Sequence, residues 1–307
     1  MPEISTLEKS ILHTVCWFSV FGYPLTRFEI YKWLWKPDQK YSLVQVHEVI
    51  DSSEWLRDKL SVQGGFVTYR YKGPIESLVE DRRKRFVDAV RKYKKLKRVS
   101  LWFGLFSSVR AVAAVNTLSY WHTKPTSDID MYIVVEPGTI WSTRLLLVAP
   151  FVIFGKRPGQ RSIDPFCFSF FADENSMGTE HLKINNHDPY LAFWTQSVVP
   201  IFDRVGVFEK FENENIWASK CLPNSNIRMP HKEFSFFKPV AVVPCCIMKF
   251  FNSFSKSFQK NRLPQSIQQL ANFDSRVIVR DNMLKFHEND ERESYWETFY
   301  ELTKNCV

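Results

Sequence analysis

The 307 residues leave room for two domains or three small ones, and 45% hydrophobic with 24% charged residues is ordinary for a folded soluble protein. Six cysteines with neither Cys-x-x-Cys spacing nor a histidine at zinc distance exclude a zinc module and fit incidental thiols in a reducing cytosol. The net charge of +8 is concentrated: ten Lys/Arg and one Asp fall between Arg82 and Arg98, which leaves the rest of the chain near neutral.

No secretory signal is expected, because Glu3, Glu8 and His13 interrupt the N-terminus before an apolar core forms, and a cytoplasmic location follows as the expectation. Residues 1–74 read as a self-contained module. Ser5-x-x-Glu8, Thr26-x-x-Glu29 and Ser42-x-x-Gln45 are three capping boxes, each opening an apolar-periodic segment. Ser61 to Tyr69 then reads as a hairpin turning at Gly64-Gly65. Three helices and a hairpin predict a winged-helix-like module. Its third helix exposes Gln45, Glu48, Asp51 and Glu54, which would meet phosphates badly, so docking is expected of it rather than DNA reading.

Along the basic run, Phe86, Val90, Tyr93 and Leu96 recur near helical spacing, giving an amphipathic helix with a cationic outer face. It serves either as a solvated linker or as a salt-dependent contact to nucleic-acid phosphates. Next come a strand (109–115), the polar helix-starting turn Asn116-Thr117-Leu118-Ser119, the loop Lys124-Pro125-Thr126, a strand (129–135), a helix (139–155) and a strand (165–171). That alternation predicts a mixed sheet with packed helices, of α+β or α/β class, over residues 75–180.

Ser127-Asp128-Ile129-Asp130 runs directly into the second of these strands. Alternation along a strand puts Asp128 and Asp130 on one face and Ile129 on the other. Two such carboxylates repel, and a hard divalent cation, Mg²⁺ or Mn²⁺, relieves the repulsion while sharing its remaining positions with phosphates.

Strand, small polar turn, loop and Ser-Asp-x-Asp on a second strand resemble the nucleotidyltransferase superfamily of polymerase-beta type. The quoted motif, with Ile140-Trp141-Ser142-Thr143-Arg144, Gly155-Lys156-Arg157, Phe166 to Phe170 and Leu284 to Asp290, is similar to a group of bacterial nucleotidyltransferase-domain proteins over about residues 75 to 300. The resemblance implies metal-dependent transfer of a nucleoside monophosphate from a nucleoside triphosphate to an acceptor: RNA, a protein side chain or a small molecule. It makes Asp128 and Asp130 the catalytic metal ligands, with Asn116 and Thr117 (in place of the family's Gly-Ser), Ser127 and Arg144 at the nucleotide. The family's third carboxylate has two candidates, Asp164 at the start of the next strand and Asp173 after its end, with Asp164 preferred. A catalytically inactive scaffold or nucleic-acid-binding descendant of the fold is the alternative.

Residues 181–307 are expected to be mainly helical and to form the far wall of the cleft, with aromatic stripes at Tyr190/Leu191/Trp194, Val207/Phe208/Phe211 and Trp296/Phe299/Tyr300 as core. Lys285 and His287 share a face if their segment is extended. The apolar runs Leu145–Gly155 and Pro239–Ile247 fall short of the roughly 20 residues that span a bilayer. The first is expected to be buried; the second leaves open an amphipathic contact with a membrane surface.

Overall fold

The computed structural model describes residues 4–70, 74–159, 163–185, 188–226 and 240–304. All three capping boxes form and start helices: α1 (Thr6–Val20) at Ser5/Glu8, α2 (Arg27–Lys32) at Thr26/Glu29 and α3 (Leu43–Ser52) at Ser42/Gln45. A short strand β1 (Leu25–Thr26) precedes α2, and a one-and-a-half-turn helix α4 (Glu54–Lys59) follows α3. The hairpin β2 (Leu60–Gln63) and β3 (Phe66–Tyr69) turns at Gly64-Gly65, both at positive φ, where glycine carries no steric penalty. With β1 it makes an antiparallel sheet of order β1-β3-β2.

This module is not self-contained. Its core of Ile11, Leu12, Val15, Phe18, Trp33 and Val46 runs on without a break into Phe193, Leu222 and Phe299. Trp17 and Trp35 both stack on Phe193, each with ring centroids 5.3 Å apart. Aromatic residues at helical spacing showed that a face was apolar; they held no information about what it covers.

The long basic helix α5 (Ile75–Gly104) leads into β4 (Val109–Ala114), the single turn α6 (Asn116–Ser119), β5 (Ile129–Val135), α7 (Ile140–Ile153) and β6 (Phe166–Asp173). The last third adds α8 (Pro189–Ser197), β7 (Val199–Asp203), α9 (Val207–Glu214), α10 (Ile216–Cys221), α11 (Cys245–Lys260), α12 (Gln265–Leu270), β8 (Val277–Val279), β9 (Met283–Phe286) and α13 (Arg292–Lys304). The second sheet is mixed, of order β7-β4-β5-β6-β9-β8, with β5 and β6 parallel and the other pairs antiparallel. The protein is therefore of mixed α+β class.

Three of those six strands, β7, β8 and β9, come from the region expected to be mainly helical. They are only three to five residues long, too short for a period-2 pattern to stand out. Pro200 sits in β7, which pairs on one side only, where a missing N–H is tolerated.

One face of the sheet (Val112, Ile129, Met131, Ile133, Phe168) packs on α5, α7, α11 and α12; the other (Ala113, Tyr132, Val134, Phe170) packs on α8 and α9. Within the run expected to be buried, Leu147 and Val148 are buried, but Val152, Ile153 and Phe154 are exposed. Val240 and Val242 of the second run are exposed as well, ahead of an α11 that leaves Phe250, Phe251 and Phe254 uncovered; Pro239 itself lies outside the described residues. No helix among the described residues is long and apolar enough to cross a membrane.

Candidate functional site

Asp128 and Asp130 sit at the start of β5. Ile129 between them is fully buried on the helical side, so the alternation of the strand turns Asp130 to the same face as Tyr132 and Val134. Neither carboxylate makes an ion pair within the described residues. Burial raises the pKa of Asp130 to about 6; hydrogen bonds from Asn116 and Cys167 pull against that, and the charge on Asp128 adds to it. Asp128 is shifted up by burial too, offset by the positive charges of Lys92 and Arg157.

Asn116, directly after β4, adopts φ +56°, the left-handed conformation that asparagine accepts more readily than other side-chain-bearing residues. Its carboxamide oxygen accepts the indole N–H of Trp194 at 3.0 Å, so its NH₂ faces the Asp130 carboxylate. Thr117, next in the chain, is exposed. Ser127 lies just before the pair, and its hydroxyl closes its own turn by accepting the Lys124 N–H at 3.0 Å.

Arg144 is not brought to the aspartates. It donates to Gln259 of α11 at 2.6 Å and lies over the Phe286 ring at 4.8 Å, on the side of the sheet that carries α7 and α11. Burial there, helped by Arg157, lowers its pKa to about 10. The cations whose charges reach Asp128 are instead Lys92 of α5 and, after it, Arg157 beyond the end of α7.

Asp164 is taken up by three cations. Its carboxylate is fully buried and ion-paired with Arg91, Lys92 and Lys95. Burial alone would raise its pKa, but the hydrogen bonds from Arg91, Lys95 and Lys92 outweigh that and hold it far below the usual carboxylate range. In the parallel β5–β6 register the residue beside Asp130 is Cys167, where a carboxylate was sought, and Asp173 pairs with Val135 at the far end of the strand, about 20 Å along. Among the described residues no group of three His, Cys, Asp or Glu could enclose a metal.

The basic helix is largely internal glue. At least six of its ten cations are in ion pairs among the described residues: Arg82 with Glu29, Lys84 with Glu80, Arg85 with Asp81, Arg91 with Asp88 and Asp164, Lys92 with both of those acids, and Lys95 with Asp164. Lys92 is completely buried and donates to the carbonyls of Lys124 (2.8 Å) and Ser127, bracing the loop that delivers Asp128.

Asp130, Asn116 and Thr117 border a cavity of about 270 Å³ that aromatic rings close: Trp17 and Phe18 of α1, Tyr23, Phe193 and Trp194 of α8, and Tyr295 of α13. A second cavity of about 220 Å³ shares Asn116, Tyr190, Trp194 and Tyr295 with it and is walled by Lys285, His287 and Arg292. The N-terminal module and the last helix therefore form the far side of one cleft over Asp130. Neither aromatic contribution was legible beforehand, because rings at helical spacing read equally well as core.

In the second cavity, Arg292 is ion-paired with Asp188 and Asp290, and Lys285 donates to the Ser275 carbonyl at 2.7 Å. Burial lowers the pKa of Lys285 to about 8. His287 lies 3.2 Å from the Ser169 hydroxyl, and burial with Lys285 nearby lowers its pKa to about 3, so it is neutral and a poor general base. Comparison of the chain with protein-family models, with curated proteins and with solved structures finds no match.

Proposed function

We propose that the protein is a metal-dependent nucleotidyltransferase, moving a nucleoside monophosphate from a nucleoside triphosphate to an acceptor hydroxyl. The observation that carries this reading is the pair Asp128 and Asp130. Asp130 borders a cleft beside a left-handed Asn-Thr turn, Asp128 is close enough for its charge to raise the Asp130 pKa, and neither carboxylate has an ion pair among the described residues. Uncompensated charge of that kind is costly, and a bound cation removes the cost.

The donor set fits Mg²⁺ or Mn²⁺: Asp128 and Asp130 would hold the ion, with phosphate oxygens and water filling the other positions. When bound, the metal neutralises and orients the triphosphate. Asn116 fixes the Asp130 carboxylate through its amide, and Thr117 offers an exposed hydroxyl at the turn. Lys92 and Arg157 supply positive potential near Asp128 that favours a polyphosphate. In the reaction the acceptor oxygen bonds to the α-phosphorus and the bond from that phosphorus to the bridging oxygen breaks. Pyrophosphate leaves with the electron pair, and the acceptor proton passes to a carboxylate or to water. On this reading residues 1–74 are a winged-helix-like docking module, residues 75–180 the nucleotidyltransferase core, and the setting is the cytoplasm.

Cys167 beside Asp130 favours the second reading, a catalytically silent scaffold of the same fold. Equilibrium dialysis of the full chain with labelled ATP and GTP separates the two. The enzyme reading expects binding that requires Mg²⁺ and weakens more than about 100-fold in Asp128→Ala/Asp130→Ala, with the circular dichroism spectrum unchanged. Absence of nucleotide binding at millimolar concentration would sink it.

A further inference from the structure

The aromatic cavity beside Asp130 has a chemistry that selects its occupant. We infer that it is the acceptor site, and that the acceptor is a small uncharged molecule carrying one apolar ring system and a hydroxyl group. This rests on the nucleotidyl-transfer reading and adds the acceptor class to it.

The cavity cannot be the seat of the triphosphate, because no lysine or arginine is among its lining residues. Nor does it suit a nucleobase, whose polar edge needs partners when buried. Three of the four tyrosine hydroxyls around it are already spent: Tyr23 donates to Glu29 at 3.0 Å, Tyr120 to the Phe193 carbonyl at 3.1 Å, and Tyr295 to Glu291, so that Tyr190, Thr117 and the His122 ring nitrogens are the few open polar groups in an otherwise apolar wall. Asn116 is engaged by Trp194 and Asp130. Each base donor or acceptor left unmatched there would cost roughly 1–3 kcal/mol. An apolar ring meets no such cost and gains the aromatic contacts instead.

Size and rigidity agree with this. About 270 Å³ lies just below the range of about 300–1,000 Å³ typical of drug-sized ligands, so one ring system fits and a polymer does not. The walls are fixed before any ligand arrives, since Trp17 stacks on Phe193 within 9° of parallel and Trp35 stacks on the same ring. The neighbouring cavity is the more polar of the two, walled by Lys285, His287, Asn289, Asp290, Glu291 and Arg292. Both cavities meet at Asn116, next to the carboxylate pair, which is where acceptor and donor must meet.

2-Naphthol, an uncharged bicyclic alcohol, is the probe. Titrated into the full chain and followed by calorimetry, it is expected to bind; 1-propanol, which lacks the ring, is expected not to. Millimolar adenosine should leave naphthol bound, and Phe21→Ala and Tyr295→Ala, both at rings that line the cavity, should each weaken naphthol about tenfold. Displacement by adenosine would make the cavity a base pocket and overturn the inference, as would absence of naphthol binding or transfer of label from [α-³²P]ATP to RNA. The adenosine competition uses the unaltered protein, so it stands even if a variant misfolds. Naphthol binding without any binding of Mg²⁺-ATP would refute the transfer chemistry and with it the acceptor role, leaving a ring-selective cavity.

Discussion

Asp130→Asn is expected to make the protein more stable at pH 7.5 while abolishing Mg²⁺-dependent nucleotide binding. The folded protein holds the Asp130 carboxyl at a pKa of about 6, against an ordinary 3.8, because burial and Asp128 both disfavour its charge. Between about pH 4 and pH 6 the folded chain keeps a proton that the unfolded chain has released. Stability contributed by this group therefore falls as pH rises through that window and levels off above it. Across the whole window the loss amounts to about 3 kcal/mol, since one pKa unit corresponds to about 1.4 kcal/mol. Asparagine is neutral throughout and removes it. Thermal unfolding at pH 4.5 and 7.5 should show wild type losing ground at the higher pH and the variant not, with the variant melting about 5 °C higher at pH 7.5. A variant no more stable than wild type at pH 7.5 would mean that the pair carries no stored repulsion.

The opposite result is expected of Asp164→Asn. This carboxylate is fully buried among Arg91, Lys92 and Lys95, and Lys92 is itself buried beneath the loop before Asp128. Removing the charge leaves Lys92 with only Asp88, 3.5 Å away. Breaking one partner of a buried pair costs about 3–5 kcal/mol, chiefly through the charge left behind. Urea unfolding at pH 7 should register that loss. Nucleotide affinity should fall as well, because Lys92 holds the Lys124 and Ser127 carbonyls that set the approach to Asp128. Since the Asp164 pKa is depressed on folding, its contribution is complete above the ordinary value of 3.8 and disappears as pH drops further, so the two proteins should converge in acid. A double variant, Asp164→Leu/Lys92→Met, should recover part of the loss. A destabilisation below about 1 kcal/mol would show that the cluster is solvated rather than buried.

Local chemistry was legible in the sequence and long-range packing was not. Ser5, Thr26 and Ser42 announced their helices because a capping box is complete within four residues. Asp128 and Asp130 announced a shared face because strand alternation is equally local. The roles of Asp164 and Arg144 depended on where α5 and α11 pass, and no short window contains that: Asp164 meets Arg91 across seventy-three positions, and Arg144 meets Gln259 across 115. The same holds for the cationic run of α5, which looked like a solvent-facing stripe although Glu29 and Asp164, distant in sequence, lie against it. The short strands β7 to β9 owe their conformation to a sheet edge that other parts of the chain build.

Trp17 lies 5.6 Å from Phe299, and α1 packs along α13. As the chain is synthesised, Phe193 can cover one side of Trp17, but the side that meets Phe299 stays open until the ribosome has passed that residue. Shortening the polypeptide within α13 therefore strips part of the cover from α1, leaving apolar surface of the kind that invites aggregation or chaperones.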